Sequence, residues 1–226
     1  MADLTQQVSE LRLLSEVAEA EVYTSLDAPE RVVVVQLWTD QQAYGTYWLS
    51  GDRDDKKDPL RRCAAEGDQD RTGSEFYLHQ QFRKDGMWLA ESLHGSTPAI
   101  SWPGRGAVRV FAQGALPDPV AARPALLANS VAALREPGCL QFEWFQGTEF
   151  AQDCLLLELW SDQQHYDRHW RLRMQTGSSP ASGPVADRGT GSSGMEFYRH
   201  EPFVHLYDRW LPADPNQWSD TVAWPS

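Results

Sequence analysis

The sequence predicts an α+β protein built from two related halves. Two observations carry this: an internal repeat, and a β-α-β-β-α-β order of elements in the second half. The repeat is anchored on Leu155–Tyr166 (LLLELWSDQQHY), which Val33–Tyr44 (VVVQLWTDQQAY) matches 122 positions earlier. Downstream, Glu75-Phe76-Tyr77-Leu78-His79 matches Glu196-Phe197-Tyr198-Arg199-His200 at a shift of 121. Trp88-Leu89 then matches Trp210-Leu211, and Ile100–Pro103 matches Val222–Pro225, at a shift of 122. Upstream, Glu21-Val22-Tyr23 lines up with Glu143-Trp144-Phe145. One register over so many landmarks indicates tandem duplication of a domain-sized unit. The boundary falls at Pro103-Gly104-Arg105-Gly106, giving repeats over 1–104 and 105–226.

Taken in order, Leu4, Val8, Leu11, Leu14 and Val17 have helical spacing over 4–20. Residues 21–25 and 31–38 read as a strand pair around the Asp27-Ala28-Pro29 turn, and a helix follows over about 40–50. The charged stretch 51–73 reads as a solvated loop or a lid. A strand over 75–82 and a Trp-bearing segment close the first half. Ala107–Gln113 opens the second half as a strand. Asp118-Pro119 then starts a helix, as cap and first helical residue, with Leu127, Val131 and Leu134 on one face. Glu136-Pro137-Gly138 stops it. Strands 140–146 and 153–160, a helix over 162–174, a Gly/Ser/Pro-rich loop over 175–194 and a strand over 196–203 complete the half. Ser161 with Gln164, and Thr39 with Gln42, have capping-box spacing. The β-α-β-β-α-β order is the ferredoxin-like arrangement. The first half lacks the opening strand, for which Thr97–Trp102 is one candidate.

Composition narrows the function classes. A net charge of −12 argues against nucleic acid and anionic membrane surfaces as partners. No apolar run approaches a membrane span, and the N-terminus has no signal-peptide pattern. Cys63, Cys139 and Cys154 lack metal spacing and read as the reduced thiols of a cytoplasmic protein. Gly189-Thr190-Gly191-Ser192-Ser193-Gly194 fits a bare G-x-G-x-x-G, but before a strand rather than opening a helix. Neither G-x-S-x-G nor H-E-x-x-H occurs.

The helix leading into Glu136-Pro137-Gly138-Cys139-Leu140, the strand Leu155–Trp160 and the helix Ser161–Trp170 with its aromatic Tyr166 resemble the antibiotic biosynthesis monooxygenase family. The resemblance covers about 107–203 and, through the repeat, about 4–82. It implies a dimeric α+β barrel of two ferredoxin-like units, here both supplied by one chain. It also implies an oxygenase that tailors polycyclic aromatic polyketides with O2, by hydroxylation, quinone formation or ring cleavage. No cofactor is then tightly held. Some tandem relatives, ring-opening oxygenases of angucycline pathways, consume reduced flavin (FADH2 or FMNH2) from a partner reductase; other members degrade haem. A homodimer of whole chains is compatible with this reading. Trp38 and Trp160, followed by Tyr44 and Tyr166, match the family's pocket Trp and helix aromatic. Quinone-forming members often carry Asn four positions before that Trp, where this chain has Val34 and Leu156. That departure favours a second reading, an aromatic-binding protein or non-redox cyclase on the same barrel.

Candidate site residues follow. Alternation puts Cys154, Leu156, Glu158 and Trp160 on one strand face and Leu155, Leu157 and Leu159 on the other, which reads as the core. Glu158 is either a general base on an apolar wall or an ordinary paired strand residue. His165 and His169 share a helix face and are either pocket bases or surface residues; no third ligand suggests a metal. Glu196, Tyr198 and His200, with Glu75, Tyr77 and His79 as their repeats, form either a hydrogen-bond ladder or a substrate contact. Trp144, Trp160, Tyr166, Tyr198, His200, Trp38 and Tyr44 are the candidate substrate contacts. Trp88, Trp102, Trp210 and Trp224 read as structural. The working pocket is expected in the second repeat.

Overall fold

The computed structural model describes residues 1–49, 58–60, 74–85, 87–92, 95–97, 106–176, 195–206 and 209–212. In chain order its elements are α1 (Ala2–Leu11), β1 (Val17–Ser25), β2 (Val32–Trp38), α2 (Gln41–Leu49), β3 (Ser74–Glu75), β4 (Gln81–Asp85), β5 (Met87–Ser92), β6 (Gly95–Thr97), β7 (Val108–Ala115), α3 (Pro119–Ala133), β8 (Cys139–Gly147), β9 (Asp153–Trp160), α4 (Gln163–Thr176), β10 (Met195–Arg199), β11 (Pro202–Leu206) and β12 (Arg209–Pro212). They fall into two compact units. One is Met1–Ala20, Gln36–Leu78 and Glu201–Ser226, and the other is Glu21–Val35 and His79–His200.

Strands β8, β9, β7 and β10 lie side by side in that order, each pairing antiparallel. With α3 and α4 as the connections, this is the ferredoxin-like unit, so the order expected for the second half is the one that forms. The sheet continues to nine strands, β2-β1-β8-β9-β7-β10-β4-β5-β6. β1 joins β8 at Tyr23↔Gly147, Thr24↔Gln146 and Ser25↔Phe145. Shifting each residue by 122 maps this register onto itself. The flanking backbone bonds Leu26 N to Trp144 O and Thr148 N to Val22 O, both 2.9 Å, exchange in the same way.

The hairpins that follow β3 and β10 show the same reciprocity. β10 takes β4 as a neighbour at Met195↔Phe82 and Glu196↔Gln81, and β3 takes β11 at Ser74↔Phe203 and Glu75↔Pro202. A shift of 121 turns one pair of contacts into the other. In the hairpins themselves, Asp85↔Met87 corresponds to Leu206↔Arg209. One residue separates the first pair and two separate the second, so the repeat spacing moves from 121 to 122 inside this turn.

Several sequence expectations need correction. The strands expected over 75–82 and 196–203 are each two strands, in different units. His200 N is spent on Ala107 O and Gln80 N on the Tyr198 hydroxyl, and Pro202 has no N–H to continue a ladder. The helix expected over 4–20 ends at Leu11. Consecutive turns bond Leu13 N to Glu10 O and Val17 N to Leu14 O, and Val17 opens β1. The cap residues are Asp40 and Asp162, not Thr39 and Ser161: Ala43 N and His165 N donate to their carboxylates at 2.8 and 3.0 Å. A carboxylate directly before the first helical residue reaches the third backbone donor. Asp118 caps α3 as expected, accepting from Ala121 N at 3.0 Å. The buried face of α3 is Leu126, Ser130 and Ala133, one position before the expected stripe; Val131 and Leu134 are exposed. Asp58, expected in a solvated run, is buried. It accepts from Gln7 Nε2 at 2.9 Å and Leu60 N at 3.0 Å. Thr97 ends β6, paired with Ala90; the rest of the candidate opening strand lies outside the described residues, as do the loop over 177–194, Cys63, Trp102 and Trp224.

The main core also sits on the face not expected. Cys154, Leu156 and Trp160 pack with Val108, Val110, Phe142, Trp144 and Phe197 under Leu126 and Ala133 of α3 and Tyr166 of α4. Each such side chain contributes about 1.5–3 kcal/mol on burial. On the Leu face, Leu155 is buried with Tyr23 and Phe145, while Leu157 is only partly covered. That face also carries Arg109, whose guanidinium donates to Gln141 Oε1 at 2.7 Å and to Glu158 O at 3.2 Å. The helices cover the mixed face, so the face bearing Glu158 is the driest part of the unit.

Candidate active site

Glu158 lies on that dry face, 4% exposed, with Val110 and Phe142 directly opposite on the neighbouring strands. Directly opposed residues share a face, so apolar side chains flank the carboxyl on both sides. The Trp160 indole N–H donates to Glu158 Oε2 at 2.7 Å. Burial outweighs that bond and the charge of Arg173, and the carboxyl is pushed up to about 7. Near neutral pH this group both holds and releases a proton.

α4 brings the other chemistry. Tyr166 and His169 are buried and Trp170 and Arg173 half-buried, which is helical spacing on one face. His169 is 2% exposed; its ring lies 4.7 Å from that of Trp160 and 5.5 Å from that of Phe142. Nδ1 of His169 sits 2.9 Å from Glu136 Oε1, and among the described residues Nε2 has no hydrogen-bond partner. Burial pushes the His169 pKa down, against the hydrogen bond to Glu136, which raises it. Arg173 donates to Asn129 Oδ1 and lies over the Phe142 ring at 5.0 Å. Burial lifts the Tyr166 hydroxyl well above its ordinary pKa, so it remains a neutral phenol.

Trp160 thus links Glu158, by its indole bond, with the rings of His169 and Tyr166; Trp144, one strand further on, packs in the same core, and its indole reaches Asn129 at 3.5 Å. His165 stands apart. It is half-buried at the start of α4, its Nδ1 2.9 Å from Asp162 Oδ2. The His165 backbone N–H holds the Asp162 carboxyl below its usual range. His165 covers Gly138, whose φ is +81° and where a Cβ would meet His165 Cγ at 2.2 Å. Tyr198 faces the other side of the sheet, opposite Arg109, and donates to Glu196. Glu196 Oε2 also lies 3.4 Å from His79 Nδ1. His200 lies at the end of β10.

Trp38 and Tyr44 lie in the smaller unit, their rings 5.6 Å apart, with Tyr47 at 5.2 Å from Trp38. There Gln36 stands where β9 has Glu158, and accepts the Trp38 N–H at 2.9 Å. Tyr47 stands where α4 has His169. Glu136 and Arg173 escaped the sequence reading. In sequence Glu136 is only part of a helix stop; Arg173 follows from the 166/169/170/173 spacing. Cys139 and Cys154 are free thiols, both pushed up to about 12 by burial. Among the described residues no three His, Cys, Asp or Glu side chains are placed to hold a metal, and no helix is long and apolar enough to cross a membrane.

Fold and site together define an α+β protein with a ferredoxin-like unit whose helix-covered sheet face carries a buried carboxyl, an indole and an imidazole. The family model of the antibiotic biosynthesis monooxygenases matches residues 115–174, the segment spanning α3 to α4. No curated protein matches the sequence. Solved structures similar to it include a conserved protein from Methanosarcina mazei Go1, at 21% identity over 42% of this chain and 92% of that one, TM-score 0.31. Two are described as "putative monooxygenase". The one from Lactobacillus acidophilus NCFM is 9% identical over 87% of this chain and 80% of its own, TM-score 0.30. The one from Fusobacterium nucleatum subsp. nucleatum ATCC 25586 is 14% identical over 87% and 82%, TM-score 0.31.

Proposed function

We propose that the chain is an oxygenase acting on a polycyclic aromatic polyketide, with its working site in the second repeat, taken as 105–226. The observation that carries this is the buried His169 Nε2, without a partner among the described residues, on a ring packed against Trp160, which in turn bonds Glu158. An imidazole nitrogen with a lone pair accepts a proton from a phenol or an activated ring carbon. The resulting anion gives one electron to O2, and the delocalised phenoxyl or carbon radical combines with superoxide at a ring carbon. The proton held on His169 returns to give a hydroperoxide. Loss of water from it yields a ketone or quinone and rearrangement yields C–C cleavage; hydroxylation takes two further electrons and two protons, which reduced flavin would supply, with the second oxygen leaving as water. Trp160 and Tyr166 supply flat walls, and the dry face strengthens each polar contact made there.

Reduced flavin fits this cluster poorly as a resident group, since its cation Arg173 is engaged with Asn129 and the Phe142 ring. In this reading it acts, if a reductase supplies it, only as a diffusible reductant. A second reading, an aromatic-binding protein or non-redox cyclase, is favoured by one feature. Leu156 is buried opposite Trp144, where an Asn side chain would otherwise offer an amide. Oxygen uptake with anthrones and angucycline hydroquinones, with and without reduced flavin and with protein-free rates subtracted, separates the two. Protein-dependent uptake with a new product supports the oxygenase; ligand binding without uptake supports the second reading.

A further inference from the structure

Histidine in water favours the neutral tautomer with its proton on Nε2. At His169 the surroundings demand the other one. The carboxylate of Glu136, from the turn between α3 and β8, stands 2.9 Å from Nδ1, and an ionised carboxylate offers only lone pairs. Nδ1 must therefore carry the hydrogen. Nε2 is then a bare lone pair, inside the core and unpartnered among the described residues. Glu136 itself is 25% exposed at its side chain, while the imidazole it holds is 2% exposed. The carboxylate thus keeps its solvation and still reaches the core. The turn geometry that places it is fixed by Cys139 N to Glu136 O at 3.2 Å and Ser161 N to Gly138 O at 2.8 Å. The first repeat has Leu14 and Tyr47 at the corresponding positions, so the pair belongs to the second repeat alone.

We infer that Glu136 is a positioning residue, which fixes His169 as the Nδ1–H tautomer and so presents Nε2 as the proton acceptor of the site. The catalytic use of that nitrogen rests on the proposed oxygenase function; the tautomer does not. A carboxylate bound to the far ring nitrogen orients an imidazole and raises its basicity without touching the reacting atoms. The Nε2 lone pair selects a ligand that brings a hydrogen-bond donor, which a phenol does and its methyl ether does not.

The test is a long-range 1H–15N correlation spectrum of the histidine rings in the full-length chain, on wild type, Glu136→Gln and Glu136→Leu. Wild type should show His169 as the Nδ1–H tautomer. Glu136→Gln, which keeps a carbonyl acceptor, should retain it. Glu136→Leu should shift His169 towards the Nε2–H form, with the His165 signals unchanged as the control for folding. An Nε2–H tautomer in wild type overturns the inference even if a variant fails to fold, and so does an unaltered His169 pattern in Glu136→Leu. The readout needs no substrate. Absent oxygen uptake with the Nδ1–H tautomer present would sink only the oxygenase reading, and uptake with the Nε2–H tautomer only the positioning role.

Discussion

Trp160 donates its indole N–H to the carboxylate of Glu158, two residues back on the same strand, at 2.7 Å. The same step recurs across the chain: Tyr23 to Glu21 and Tyr77 to Glu75, both at 2.5 Å, Trp38 to Gln36 at 2.9 Å, and Tyr198 to Glu196. Residues two apart share a strand face, so an aromatic side chain can cover a polar neighbour and satisfy it at once. At Glu158 the cover exceeds the satisfaction, and the proton is held to about pH 7.

That proton makes stability depend on pH. The folded chain keeps it up to about 7, while the unfolded chain releases it near 4.5, the ordinary value. Between those values the folded state binds more protons, so stability falls as pH rises, by about 3 kcal/mol in total. His169 acts oppositely below 6.5, its ordinary value, because its folded pKa is lowered. Arg173 and Glu136 face both groups and stay in place. Glu158→Gln should therefore gain stability relative to wild type as pH rises through this window. Urea unfolding at about pH 5 and about pH 8 measures it, and an unchanged difference between the two proteins would refute the assignment.

Removing the donor should move the same titration. Trp160→Phe leaves Glu158 Oε2 without its 2.7 Å bond and raises its pKa further above about 7. The unsatisfied acceptor costs about 1–3 kcal/mol, before any loss of packing. Carboxyl-carbon titration by NMR reads the shift; a Glu158 pKa that falls would contradict the geometry.

Gly138 is required twice over, by its φ of +81° and by His165 above it. Gly138→Ala should cost about 1–3 kcal/mol from the backbone alone and displace His165. His165→Ala in that background should restore only the steric part. Thermal unfolding of the four proteins in a double-mutant cycle decides this, and simple additivity would be the contrary result.

Phe203, almost fully buried, packs with Trp48, Tyr44 and Phe76 in the smaller unit, although it lies late in the chain. Phe203→Ala should cost about 3–5 kcal/mol. Hydrogen exchange should show the loss in β3 and α2 rather than in β7–β9. Uniform loss of protection in β7–β9 would contradict the assignment of β11 to that unit.

Much of this was legible because the chain repeats itself. Matching the two halves placed β8, β9, α4, β2 and α2 within a residue or two; strand alternation set Glu158 beside Trp160, and helix spacing paired His165 with His169. The hairpin exchange was not legible: alternation continues through 75–82 and 196–203, and only the partners of β4 and β11, distant in sequence, divide each run. The core face of β9 was misread because three leucines outweigh a Glu in any apolar count, whereas the helices cover the side carrying Trp160. Glu136 escaped because its partner lies 33 residues away in sequence. His165 and His169 look equivalent by spacing, yet only one is over the sheet.

The most direct measurement is oxygen uptake with an anthrone, comparing wild type, His169→Gln and His165→Gln after thermal unfolding confirms that all three fold. With His169 as the base, His169→Gln should lose activity on the order of 100-fold or more, with His165→Gln close to wild type. Full activity in His169→Gln, or no protein-dependent uptake by wild type, would contradict it.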